Sequence, residues 1–231
     1  MPLNKLFKYK HKLALGISLL FHISAIIGLI FTDYKDFFIS NTPLNLIVTI
    51  VLVFFTHQYI NKSFWLFFIV CFLAGVIYEI IGINTGLLFG NYEYSDVMGY
   101  KILGVPVLLG ALWFTTMYCV GGVTFQTFQW FKVTYDVNIA KKIEFHLLAV
   151  LGAFVAVVLD YFLEPVAIKL NFWQWLPDGK IPFYNYVCWF FGSLILQYLF
   201  VNLSFSKENK FAVYLYLIQA VFFITISLFY Q

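Results

Sequence analysis

Arginine is absent from this 231-residue chain; all fourteen basic residues are lysines. Planar, bidentate recognition of phosphate or carboxylate groups leans on the guanidinium fork, so a site of that kind is disfavoured. Charge of either sign is scarce: 11% of residues are charged, against about 25% in an ordinary soluble domain. Cys71, Cys119 and Cys188 lie far apart with no CxxC between them, which removes zinc-ribbon and dithiol redox chemistry and leaves them as small buried hydrophobes. His11, His22, His57 and His146 form no HxxxH or HxxHH box, which argues against a di-iron membrane oxygenase. There is no DDxxD or NDxxD pair for magnesium-diphosphate chemistry, no Walker loop and no GxSxG elbow. The last apolar run has no lysine for a retinal Schiff base. Neither a metal nor a cofactor is expected.

What is present is hydrocarbon. The chain is 62% hydrophobic with a mean hydropathy of +0.88. Surface-to-volume scaling leaves a soluble fold of this length too much exposed surface for that composition. Apolar runs lie near 13–31, 44–60, 64–82, 103–125, 144–163, 183–203 and 211–230. Each approaches the ~20 residues that cross ~30 Å of hydrocarbon. The expected fold is an all-α polytopic membrane bundle of about seven helices, one integral membrane domain over 1–231. The first run shows no small-x-small cleavage site and reads as an uncleaved helix.

Lysine placement sets the orientation. With the N-terminus inside, that side holds Lys5, Lys8, Lys10, Lys12, Lys62, Lys132, Lys141, Lys142, Lys207 and Lys210; Lys35, Lys101, Lys169 and Lys180 fall on the other. The bias predicts N-in, C-out. It also accounts for the basic pI without a nucleic-acid partner. Both long loops, about 83–102 and 164–182, then share the outer face.

Those loops carry the polar chemistry. Glu79 stands where lipid is expected, followed by Asn84, Phe89, Tyr92, Tyr94, Pro106 and Trp113. Asp160 and Glu164 precede Phe172, Trp173, Trp175, Pro182, Asn185 and Trp189. The parallels suggest an internal parallel repeat, 64–125 and 144–203, with Asp160 opposite Glu79 and Trp189 opposite Trp113. An ionisable group at such depth faces a cavity or a partner. Asp160 and Glu164 stack one turn apart, where both cannot ionise cheaply, although Pro165 biases Glu164 away from helical geometry. A carboxylic acid kept protonated in an apolar site is a general acid. Tyr92, Tyr94, Trp113, Trp173, Trp175 and Trp189 offer π faces to a cation, or form an interfacial aromatic belt. Asn84 and Asn185 could orient a water, or cap broken helices.

The segments YEIIGINTGLLFGNYEY, GVPVLLGALW and LDYFLEPVA…FWQW…IPFYNYVCWFFG, about residues 75–192, resemble the membrane carotenoid-biosynthesis proteins typified by the CruF-type carotenoid hydratases. These include bacterial γ-carotene 1′-hydratases and haloarchaeal bisanhydrobacterioruberin hydratases. The resemblance implies addition of water across the terminal C1′=C2′ double bond of an acyclic or monocyclic carotenoid. It implies membrane lipid and other enzymes of the pathway as neighbours. The residues alone leave open a carotenoid end-group cyclase, which shares the cation but loses a proton, and a transporter or lipid-binding module. On the hydratase reading Glu79, Asp160 and Glu164 are the catalytic candidates, with Asp160 or Glu79 the proton donor. Asn84, Tyr92, Tyr94, Trp113, Trp173, Trp175, Asn185 and Trp189 are the substrate-binding candidates.

Overall fold

The computed structural model describes residues 3–230, with side chains from Tyr9 onward. The side chains of Lys5 and Lys8 lie outside the described residues. The described chain forms eight helices: α1 (Leu3–Phe31), α2 (Lys35–Ser40), α3 (Thr42–Thr56), α4 (Lys62–Thr85), α5 (Leu108–Thr134), α6 (Lys141–Lys169), α7 (Phe183–Asn202) and α8 (Lys210–Phe229). Four very short strands lie between them: β1 (Tyr92–Tyr94), β2 (Lys101–Ile102), β3 (Val105–Pro106) and β4 (Trp173–Trp175). Six helices are long and apolar enough to span a membrane. The protein is an all-α polytopic membrane bundle.

The second predicted run, 44–60, differs. It becomes α3, only 15 residues, about 22 Å at 1.5 Å per residue. Pro43 starts it, and His57 leaves helical geometry at ψ 140. Lys10 Nζ on α1 donates to the His57 carbonyl at 2.8 Å, tying that end of α3 to α1. Asn61 then caps α4 by accepting from Phe64 N at 2.9 Å.

α5 is the central post. In its apolar window 83% of residues are buried, against 28–44% for the other five spans. The outer helices turn apolar side chains outward, among them Leu20, Ile23 and Ile27 on α1, Ile69 and Leu73 on α4 and Ile195 on α7. That pattern suits hydrocarbon and not water. Small residues let the helices close on α5: a Cβ at Gly75 would lie 2.5 Å from the Trp113 side chain, and one at Gly121 would lie 2.7 Å from the Phe200 ring.

Two boundaries depart from expectation. The run at 103–125 becomes helical only at Leu108, because β2 and β3 form a hairpin whose turn residues Leu103 and Gly104 have φ of 48° and 85°. Pro106 therefore ends a strand instead of starting a helix. At the other loop, α6 passes through Pro165 and runs to Lys169, so Glu164 stays helical and stacks on Asp160. Proline costs one helical hydrogen bond, and here the loss falls near the helix end.

Replacing Gly75 with Ala should force α4 and α5 apart. An overpacking cost of about 1–3 kcal/mol is expected, read as a lower thermal midpoint in detergent. Gly16→Ala, with nothing within 4 Å of the new methyl group, should leave the midpoint unchanged or raised.

Candidate active site

The two loops meet as strands. β1 pairs antiparallel with β4, with Tyr92 opposite Trp175, Glu93 opposite Gln174 and Tyr94 opposite Trp173. Leu176 N to Asn91 O at 2.8 Å and Ser95 N to Phe172 O at 3.0 Å extend the pairing. Alternation along each strand sends Tyr92, Tyr94, Trp173 and Trp175 to one face, toward the bundle, and leaves Glu93 and Gln174 exposed.

Each inward pair serves one carboxylate. Glu79 Oε2 accepts from the Tyr92 hydroxyl at 2.6 Å and the Tyr94 hydroxyl at 2.9 Å, and Oε1 accepts from the Trp113 indole N–H at 3.1 Å. Glu164 Oε2 accepts from the indoles of Trp173 at 3.0 Å and Trp175 at 2.9 Å, and Oε1 accepts from the Asn185 amide at 3.2 Å. The same amide nitrogen donates to Asp160 Oδ2 at 3.1 Å, while Asp160 Oδ1 is buried without a partner. All three carboxylates are at most 4% exposed. The donors are neutral dipoles; among the described residues no lysine or histidine bonds to these groups. Burial, with the Glu79 carboxylate beside them, pushes the Tyr92 and Tyr94 phenols upward, so both remain protonated donors.

The structural counterpart of Glu79 is thus Glu164 and not Asp160. Each glutamate takes two donors from its own loop, and the loops face each other across the strand pair. Trp113 and Trp189 do meet as counterparts: their rings stack 4.4 Å apart at 4°. One π face of each is therefore taken by the other.

A cavity of about 20 Å³ lies among these groups, lined by Glu79, Phe89, Tyr92, Tyr94, Leu109, Leu112, Trp113, Glu164, Trp173, Trp175, Asn185 and Trp189. It has room for about one water. Nine of the eleven candidate site residues line it: Glu79, Glu164, Tyr92, Tyr94, Trp113, Trp173, Trp175, Asn185 and Trp189. Asp160 stands behind Asn185. Asn84 is elsewhere: it is exposed, and its amide donates to the carbonyls of Ile80 at 2.9 Å and Leu103 at 3.0 Å, anchoring the hairpin to α4. Lys101, a conceivable partner for Glu79, instead pairs with Asp96 at 2.7 Å.

A second, larger cavity of about 410 Å³ adjoins the first. It runs between α1, α3, α6 and α8, and Leu112 and Trp173 line both cavities. Its wall is mostly hydrocarbon, with His22 and Gln219 among its few polar members. Their positions inside apolar spans could have been picked out as ionisable or polar groups at membrane depth; testing histidines only for metal boxes passed over them. Phe89, marked in the sequence as part of the aromatic loop, lines the small cavity as well. It sits at φ 65°, an uncommon conformation for a bulky side chain, held as its N–H donates to Cys188 Sγ at 3.2 Å.

Together these features define a polytopic membrane protein with a water-sized, carboxylate-lined cavity beside an apolar one. The chain matches a family model described as carotenoid biosynthesis protein over residues 41–231, and it belongs to that family. The match takes in every residue of the small cavity and stops short of α1. No curated protein and no solved structure matches the chain. Membership gives the protein a role in carotenoid biosynthesis.

Replacing Tyr92 with Phe removes one of three donors to Glu79 and leaves the ring in place. A loss of about 1–3 kcal/mol is expected on thermal unfolding. Hydrogen exchange at the β1 amides should stay slow, because the strand pairing does not use the hydroxyl.

Proposed function

We propose that the protein is a carotenoid hydratase that adds water across the terminal C1′=C2′ double bond of an acyclic end group. The observation that carries this reading is the contact between the two cavities. A polyene lying in the apolar cavity has its end at Leu112 and Trp173, the side chains that also wall the water-sized carboxylate cavity.

Hydration needs an acid at C2′, shelter for the tertiary cation at C1′ and one water. Asp160 and Glu164, a turn apart and bridged by the Asn185 amide, carry one proton between them more cheaply than two charges. Glu164 is the member that faces the cavity, so it delivers the proton. Glu79, whose three donors serve no second acid, is arranged as the anion. It steadies the cation, together with the tryptophan and tyrosine faces, and takes the proton shed when water captures C1′. The Asn185 side-chain oxygen accepts from no donor among the described residues and is suited to hold that water. Alkene plus water yields a tertiary alcohol. The one proton moved from Glu164 to Glu79 returns before the next turnover. This replaces Asp160 with Glu164 as the group that touches substrate, and Asp160 becomes a positioning residue.

Two features of the sequence reading fit alongside. With the N-terminus inside, the carboxylate end of the bundle faces the outer side of a bacterial or archaeal cytoplasmic membrane. The strand pairing and the Trp113–Trp189 stack support α4–β1–α5 and α6–β4–α7 as two copies of one unit.

Expression in hosts that make lycopene or γ-carotene should convert the pigment to a product heavier by one water. Glu164→Gln and Glu79→Gln should each cut turnover by about a hundredfold or more, and Asp160→Asn by less. Unchanged pigment mass with an altered end group would point to cyclisation. No new pigment from well-inserted protein in either host would sink both readings.

A further inference from the structure

The small cavity, about 20 Å³, has room for about one water. The branched end of a polyene, an alkene carbon bearing methyl groups, is several times larger than a water. With the polyene seated in the large cavity, its end therefore reaches the carboxylates only where the wall between the cavities gives way. Leu112 and Trp173, which line both cavities, form that neck.

The two sides of the neck differ. Trp173 is held fast: its indole N–H donates to Glu164 Oε2 at 3.0 Å, its ring meets Tyr94 edge-on with centroids 5.6 Å apart, and its backbone pairs opposite Tyr94 in the strand ladder. Moving it would strip a donor from a buried carboxylate, which is costly. Leu112 is buried but has no polar atom to tether it. Its backbone is fixed, because the next residue on α5, Trp113, is stacked on Trp189, bonded to Glu79 and seated on Gly75. Its side chain moves by exchanging staggered rotamers, with no hydrogen bond broken. One jaw of the neck is rigid, and the other adjusts from a rigid post.

A leucine facing an indole selects by thickness and not by charge. An open-chain alkene end is flat, whereas a six-membered ring with its methyl groups is thick in every direction. We propose that Leu112 is the specificity-determining residue of the neck: it turns aside for a flat, open-chain end group and stops a ring-closed one in the apolar cavity. Ring-ended polyenes then occupy the large cavity without reaching the acids. This deepens the proposed function and rests on its reading of the large cavity as the seat of the polyene. It does not depend on the chemistry at the acids being hydration.

The test is photolabelling of the full-length protein in lipid nanodiscs. The probes are two polyenes of equal chain length with a diazirine on the terminal group, one open-chain and one ring-closed, and labels are mapped by mass spectrometry. Tyr92, Trp175 and Trp189 line the small cavity alone, and Val166 and Phe223 the large one alone. In wild type the open-chain probe should label the small-cavity residues about tenfold more than the ring probe, or better, and both should label the large cavity. Leu112→Ala should bring the ring probe up to the open-chain level. Leu112→Phe should cut small-cavity labelling by the open-chain probe about tenfold, with the large-cavity labels kept as the sign of a folded protein. Leu112→Val serves as a milder opening if the alanine variant fails to fold. Equal small-cavity labelling in wild type, an open-chain probe that stops in the large cavity, or a ratio that the substitutions leave unmoved would overturn the proposal. Labelling of neither cavity would overturn it together with the seat of the polyene. Labels that follow Leu112 without water addition in the pigment assay would leave the neck standing and remove the hydratase. Water addition with labels indifferent to Leu112 would do the reverse.

Discussion

Three carboxylates inside hydrocarbon must be given hydrogen-bond donors, and much of this structure follows from meeting that demand. Removing an ionised carboxylate from water costs several kcal/mol even after relaxation. A hydrogen bond to a charged group returns about 1.5–3 kcal/mol. Three donors on each glutamate are of the size required, and each has three. The donors are phenols, indoles and an amide, so the carboxylates are supported without being locked in ion pairs.

The demand shapes the loops. Helical backbone has no spare N–H to offer a mid-helix side chain, and the donors must come from segments that fold back onto the bundle. Two three-residue strands do this by pairing with each other, and their alternation aims four aromatic donors the same way. The fold-back explains otherwise odd local features, such as Phe89 at positive φ and Gly90 pressed against Pro182. The large apolar cavity ends where this aromatic floor begins, so hydrocarbon and polar chemistry meet at Leu112 and Trp173.

Most of the membrane architecture was legible because lipid imposes a simple rule: spans are long, apolar and helical. The predicted runs became helices, and only α3 proved too short for a full span. Misplaced boundaries lay at Leu103–Gly104 and Pro165, where turn geometry and tolerance of proline depend on neighbours. Most of the candidate site was legible for a related reason. An acid in an apolar run is conspicuous, and so is a cluster of aromatics beside it. Asn84 was misjudged because an amide near a helix end can serve backbone or cavity equally well, and the β2–β3 hairpin claimed it.

Composition and run length therefore determined by themselves that this is a multi-pass helical membrane protein with its intramembrane carboxylates gathered in two loop-bearing segments. Residue order along the chain carries that information directly, since burial in lipid reads hydropathy one segment at a time. Tertiary structure alone decided which acid matches which. Glu164, not Asp160, stands opposite Glu79, because strand register pairs Tyr92 with Trp175 and Tyr94 with Trp173. It alone brought His22 and Gln219, nearly two hundred positions apart in sequence, into one cavity wall. Such pairings are set by the packing of distant helices, a property of the whole bundle that no local stretch contains.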